Sequence, residues 1–255
     1  MSGHSKWSTI KRQKGATDAK RGAAFTKAAN AITIAAREGG ANPETNFKLR
    51  LAVDSAKRVN MPKGNIERAI ARGSSVGKDG PNLEEVTYEG FGPGGVGILV
   101  EAVTDNRQRT AQEVRSAFDR SGGRLSGPGS VDHFFKPVAE IVLRVDSNID
   151  PDQLLLTAAE AGAEDVEASG SEAVVYCKVT DLERVKNNLS ARGLEVIETK
   201  ISRQPTTTIK IEEEKLAASV LSLVDKLEEL ADVQTVYANF DIPEEVLKKE
   251  VYGSK

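Results

Sequence analysis

The sequence predicts an α+β protein of several domains: an N-terminal three-helix bundle plus two ferredoxin-like βαβ-βαβ domains, one inserted in the other. Three observations predict it. Apolar residues recur at helical spacing in three consecutive runs over 18–73. At "SSVGKDGPN" (74–82) periodicity stops, and the chain beyond it is rich in short β-branched runs. Those runs alternate with helical ones so that a complete βαβ-βαβ unit is flanked on each side by a βαβ lacking a partner. The predicted divisions are 1–77, with 1–16 a flexible arm; 82–136 together with 205–242; and 137–204 as the insertion.

The first predicted helix runs over 18–38, capped by Thr17, with Phe25, Ala28, Ala29, Ile32, Ala35 and Ala36 inward. Gly39-Gly40 ends it. Asn42-Pro43 reads as the cap and first position of the second helix, which runs to Asn60 with Phe47, Leu51, Ala52, Ala56 and Val59 inward. Met61-Pro62 starts the third, with Ile66, Ala69 and Ile70 inward and Gly73 at its end. "LEEVTYEGFG" and "VGILVEAVT" read as strands joined by a glycine turn. "RQRTAQEVRSAFDRSG" reads as a helix with Val114, Ala117 and Phe118 inward, and "SVDHFF" as a short strand. The insertion follows: "AEIVLRV", a helix in "DPDQLLLTAAEAG", "EDVEASG", "EAVVYCKVT", a helix in "DLERVKNNLSARG" and "LEVIETKIS". "TTTIKI", a long helix and "VQTVYANFDI" then complete the interrupted domain.

Composition narrows the function. The one cysteine excludes an internal disulfide and a cysteine-rich metal site, and with it a cytoplasmic address is expected. No apolar run approaches membrane-spanning length, so no membrane partner is expected. The net charge of −3 conceals a division. Residues 1–78 hold 16 Lys and Arg against 5 Asp and Glu, a net of +11, and the rest of the chain carries −14. Such asymmetry points to a polyanion-binding module joined to acidic domains. Its alternative is a solvated, Lys-rich helical surface.

No catalytic constellation emerges. "GFGPGG" (90–95) matches a dinucleotide-binding pattern literally, but a strand follows it where a helix is needed, so it reads as a turn. His4 and His133 have no neighbour at metal-ligand spacing, and Cys177 alternates with Val175 and Val179 as a core residue. Neither an enzymatic activity nor a cofactor is expected. In "TDNRQRT" (104–110), Thr104 or Asp105 is expected to cap the next helix. Arg107 and Arg109 in its first turn then make either an anion site or two surface ion pairs. In the arm, Trp7 either stacks on an unpaired base or folds back on the bundle as an apolar anchor.

"SGHSKWSTIKRQKGATDAKRG", "FTK" (25–27), "MPKGNIERAI" (61–70), "YEGFGPGG" (88–95), "TDNRQRTAQEVR" (104–115) and "GG.L...GSV...F" (122–134) together resemble the YebC family over essentially the full length. In bacteria these are generally called probable transcriptional regulatory proteins, and their mitochondrial relatives are translational activators of cytochrome oxidase. One segment departs mildly: "STIKRQK" stands where the family often has "NI..RK", with its basic character kept.

The resemblance implies three domains and a cytoplasmic, non-enzymatic, DNA-binding regulator of gene expression. It also implies an alternative, a ribosome- or RNA-binding translational activator that relieves stalling at difficult sequences such as proline runs. The partner is then DNA, ribosomal or transfer RNA, or the ribosome. The expected nucleic-acid-binding residues are His4, Lys6, Trp7, Lys11, Arg12, Lys14, Lys20, Arg21, Lys27, Lys63, Arg107 and Arg109. Specific duplex reading by the second helix would rest on Asn46, Lys48 and Arg50 at most.

Overall fold

Helix α1 (Asp18–Gly39) ends where Gly40 takes the left-handed conformation, φ +88°, that a side chain resists. In the computed structural model, described residues are 7, 18–74, 83–146, 149–243 and 245–247, with side chains at 18–21 and 169 left aside. Thr17, the expected cap of α1, lies outside them. The chain turns at 42–45 and enters α2 (Phe47–Arg58). Its cap is Asn46 and not Asn42, whose side chain instead accepts from the Glu44 N–H in a local turn. Asn46 is buried and serves two helices at once. Its Oδ1 accepts from the Leu49 N–H at 3.0 Å, and its Nδ2 donates to the carbonyls of Ala35 at 2.7 Å and Gly40 at 2.8 Å.

Helix α3 (Lys63–Ser74) closes the bundle against α1. Thr33 shares its hydroxyl between the carbonyls of Ala29 and Ala69. Gly73 lies so near α1 that an added Cβ would stand 2.2 Å from the Thr33 carbonyl oxygen. Ile32, Ala35, Ala36, Leu49, Val53, Ala56, Ile66 and Ala69 form the bundle core. Phe47 and Leu51 differ from their expected place. They pack against the core of the inserted domain, because α2 is sandwiched and carries two apolar faces.

The second unit is built on a four-stranded antiparallel sheet. Strands β1 (Glu84–Phe91) and β2 (Gly97–Thr104) form a hairpin paired from Glu84↔Thr104 to Phe91↔Gly97. The glycine pattern is the turn between them, with Gly94 and Gly95 at positive φ. Helix α4 (Arg107–Arg120) leads to β3 (Arg124–Ser126). This short strand supplies the pairing that the sequence assigned to "SVDHFF", which instead contains a 3-10 turn over Asp132–Phe134.

The chain then leaves as β4 (Phe135–Arg144) and builds the inserted unit with α5 (Pro151–Ala161), β5 (Asp165–Ser169), β6 (Glu172–Cys177), α6 (Leu182–Ala191) and β7 (Glu195–Pro205). Its order, β5-β6-β4-β7 and antiparallel throughout, is that of a ferredoxin-like sheet.

On return, β8 (Ile209–Lys210) does not join the main sheet. It pairs in parallel with β10 (Phe240–Asp241). The place expected for "TTTIKI" is already taken by β1, whose hairpin to β2 closes over a short loop and forms at lower entropic cost than a pairing across the insertion. Helix α7 (Glu214–Glu229) covers the sheet, and β9 (Val233–Ala238) completes it beside β2. The host sheet, in the order β3-β1-β2-β9, thus keeps the ferredoxin-like arrangement in space, with β1, from ahead of the first βαβ, in the place of the third strand. Its core joins Ile98, Val100, Val114, Phe118, Val220, Leu223, Val224 and Leu227.

Replacing Asn46 by Ala is expected to destabilise the bundle by about 2–3 kcal/mol, since a cap and two buried carbonyl partners are lost together. Thermal unfolding followed by circular dichroism reads this as a fall of several degrees in the transition that includes the bundle.

Candidate nucleic-acid interface

Five cations of the bundle are turned inward onto the α/β units. Lys27 donates to the Glu228 carbonyl, and Arg37 to the Leu83 carbonyl. Lys48 bridges Glu38 at 2.9 Å and Glu85 at 2.8 Å. Burial alone would depress the Lys48 ammonium, but these carboxylates outweigh it and hold its pKa above the usual lysine value. Arg58 pairs with Glu198 of β7 at 2.8 Å, and Arg50 lies 3.7 Å from Glu183 of α6. Asn46 is therefore committed inside the bundle, and Lys48 and Arg50, although part-exposed, are paired with carboxylates of the α/β units. The second helix does not offer them to a DNA groove.

The remaining bundle cations lie elsewhere. Lys57 pairs with Asp54 on α2. Lys63, at 90% side-chain exposure, stands 3.7 Å from Glu67. Arg68 donates to Asn65 and to the Gly64 carbonyl, and Arg72 has no hydrogen-bond or ion-pair partner among the described residues. Asn65, Arg68 and Arg72 share one stripe of α3, spaced i, i+3, i+7. That stripe is visible in the sequence as the three polar positions of "NIERAIAR" that share a face. With Phe25, Thr26, Ala29 and Asn30 of α1, and with Met61 and Ala69, they line a groove of about 340 Å³.

The predicted residues divide among several settings. His4, Lys6, Lys11, Arg12 and Lys14 lie outside the described residues. Lys20 and Arg21 belong to α1, with their side chains also outside the description. Trp7 is buried, at 6% exposure, in the apolar core of the host unit. This departs from both expectations, the stacked base and the anchor on the bundle. Its indole N–H has no acceptor there. In this arrangement Trp7 cannot stack on a base.

Arg107 and Arg109 resolve as ion pairs. The cap of α4 is Asn106, whose Oδ1 accepts from the Arg109 N–H at 3.0 Å, in place of Thr104 or Asp105. Arg107 lies 3.3 Å from Glu84. The Arg109 guanidinium reaches Asp105 at 2.9 Å and Asp232 at 2.6 Å. Asp232 also accepts from Thr110 at 2.6 Å and Thr104 at 3.2 Å. Burial would raise the Asp232 pKa, but these donors hold it below the usual aspartate value. A carboxylate already fills the anion position beside Arg109.

Two other features bear on function. Lys48, Leu51, Glu85, Glu101, Tyr237 and residues 199–203 help line a cleft of about 610 Å³ between the three units. Glu101 accepts there from Arg203 at 2.9 Å and from the Tyr237 hydroxyl at 3.3 Å. The cations lining it, Lys48, Lys200 and Arg203, are each already paired with a carboxylate. Cys177 is fully buried as expected, and burial pushes its thiol up to about 11. No helix among the described residues is long and apolar enough to cross a membrane.

Two family models match the chain: "TACO1/YebC protein N-terminal domain" over residues 5–76 and "TACO1/YebC second and third domain" over residues 83–240. The chain belongs to the TACO1/YebC family. A relative from Synechococcus sp. (strain JA-3-3Ab) is 49% identical over 248 residues, covering 97% of this chain and 99% of the relative. One from Rubrobacter xylanophilus is 48% identical over 253 residues, covering 99% and 100%. Both carry the name "Probable transcriptional regulatory protein". The crystal structure of a conserved hypothetical protein from Aquifex aeolicus superposes with a TM-score of 0.81 at 43% identity, covering 89% of this chain and 92% of that one. This YebC-family chain therefore shares its three-unit α+β architecture with a solved relative.

Substituting Asp232 by Asn is expected to cost about 1–3 kcal/mol at pH 7, because Arg109 and two hydroxyls lose a charged acceptor. The folded carboxylate binds a proton less readily than the unfolded one. Its contribution is therefore complete above the ordinary aspartate value of about 3.9 and fades as the pH falls below it. Denaturant unfolding of both proteins at pH 7 and pH 3 checks this: the gap between them narrows in acid.

Proposed function

We propose that this YebC-family chain regulates gene expression as a nucleic-acid-binding protein without catalytic activity, gripping the phosphate backbone with its basic N-terminal domain. One observation carries the reading. Once five bundle cations have docked the α/β units, Arg68 and Arg72 remain together on one stripe of the outward helix α3, next to a groove, and Lys63 stands exposed at the start of the same helix. Cations so placed attract a polyanion and release its counterions on binding. The net +11 of residues 1–78 adds to that attraction, and the −14 of the rest repels phosphate from other faces. The names of the relatives agree with a regulator of transcription.

A second reading, binding to ribosomal or transfer RNA in support of translation, is favoured by a separate observation. Asn46 is buried, and Lys48 and Arg50 are paired with carboxylates of the α/β units, which occupies the side chains that a helix-turn-helix reading of duplex DNA would use. What is left suits irregular RNA, recognised by shape and by unpaired bases.

Removal of residues 1–16 is a poor test, since it also deletes Trp7 from the host core. Reversing Lys63, Arg68 and Arg72 to Glu is the better one. The triple variant is expected to keep its circular dichroism spectrum and lose affinity for RNA and DNA on the order of 100-fold at low salt, with a salt slope smaller by about 2–3. Unaltered affinity and slope would refute the proposed face. In-cell ultraviolet crosslinking separates the two readings by the nucleic acid it recovers.

A further inference from the structure

We infer that the groove between α1 and α3 is a pocket for one unpaired nucleobase, with the adjoining phosphate held on its rim. This rests on the nucleic-acid-binding reading above and assigns it a specific site.

A nucleobase is a flat apolar plate with a polar edge, and the groove has the matching division. Met61 and Ala69, both buried, and the half-buried Ala29 form an aliphatic floor. The Phe25 ring, half-buried against the bundle core, supplies an aromatic wall on which a base can stack. Polar edges come from Asn30 and Asn65. The Asn30 amide has no partner among the described residues, so its donors and its acceptor are both open. Asn65 gives its carbonyl oxygen to Arg68 and keeps its N–H groups free. A carboxamide of this kind matches the mixed donor–acceptor edge of a base.

The rim suits phosphate. Arg68 is fixed in place by its bonds to Asn65 and the Gly64 carbonyl, so its remaining donors are pre-oriented. Arg72, one helical turn on, carries a guanidinium with no partner among the described residues. Among the described residues no carboxylate lines the groove, in contrast to the central cleft.

The groove is also rigid. The Thr33 hydroxyl between two carbonyls and the contact of Gly73 with the Thr33 carbonyl hold α1 and α3 at a fixed separation. A base in a continuous duplex stack presents only its edge and cannot lie on the floor. The ligand is therefore a single-stranded, looped or bulged nucleotide, and the pocket chemistry is common to RNA and single-stranded DNA.

Three probes test this on the full chain: an oligouridylate, its deoxy counterpart, and a sugar–phosphate strand of the same length without bases. The native protein is expected to bind a base-bearing strand about tenfold or more tightly than the abasic one. Asn30→Leu is expected to erase that preference while leaving the abasic affinity in place. Ala29→Leu, which fills the floor and alters no polar group, is expected to do the same. A 4-thiouridine strand is expected to crosslink to Phe25 or Met61. Equal affinity for intact and abasic strands, or crosslinks confined to other residues, overturns the pocket and leaves the phosphate grip standing. Failure to bind any of the three overturns both. The ratio of the first two affinities tells RNA from single-stranded DNA.

Discussion

The attachment of the basic bundle to its acidic neighbours decides which surfaces of this protein can act outward. Arg58 with Glu198, Lys48 with Glu85 and Arg50 with Glu183 fix how the bundle sits. Exposed pairs of this kind contribute about 0–1 kcal/mol each, so they do not supply most of the adhesion. The apolar contacts do that: Ile34 against Leu83 and Val103, and Phe47 and Leu51 against the inserted domain. Charge complementarity favours this orientation, since turning the bundle would separate these cations from Glu198, Glu85 and Glu183. The outward surface of α3 is thus a consequence of what the inward surfaces must satisfy.

That division accounts for an acidic protein with a basic beginning. Part of the positive charge is structural and neutralises the faces of the host and inserted sheets. Arg68 and Arg72 stay on one stripe of α3. In the reading proposed above, a polyanion meets a favourable field there and is oriented by charge before any base is contacted.

The helices were legible because their signals are local. Ile32, Ala35 and Ala36, then Ile66 and Ala69, lie where their spacing puts them. The inserted domain was legible because each strand and helix in it follows the last without interruption. Errors fell where a distant partner decides. Residues 206–211 have the composition of a strand, yet the hairpin of β1 and β2 had already filled the place they were given. Asn46 and Asn42 have equal intrinsic fitness as caps, and the carbonyls of Ala35 and Gly40 selected the former. Within the proposed face, Lys63 is visible from its motif, and Asn65, Arg68 and Arg72 from their spacing in "NIERAIAR". Asn30 is not, because only packing shows that it lies open beside them. The fate of Arg109 was equally hidden, its partner Asp232 being 123 residues away.

Strand β4 departs from the host unit at Phe135, and β7 returns to it at Pro205, two residues that face each other in register. The inserted domain can therefore reach its final form as soon as Pro205 has been made, since every strand it needs is then present. The host sheet cannot. Strand β9, its partner for β2, and the α7 residues that fill its core lie at the far end of the chain. During synthesis the hairpin of β1 and β2 must wait with one face uncovered while a complete domain forms beside it. Between the two α/β domains the order of assembly thus runs opposite to the order of the sequence: the one that begins first is finished last.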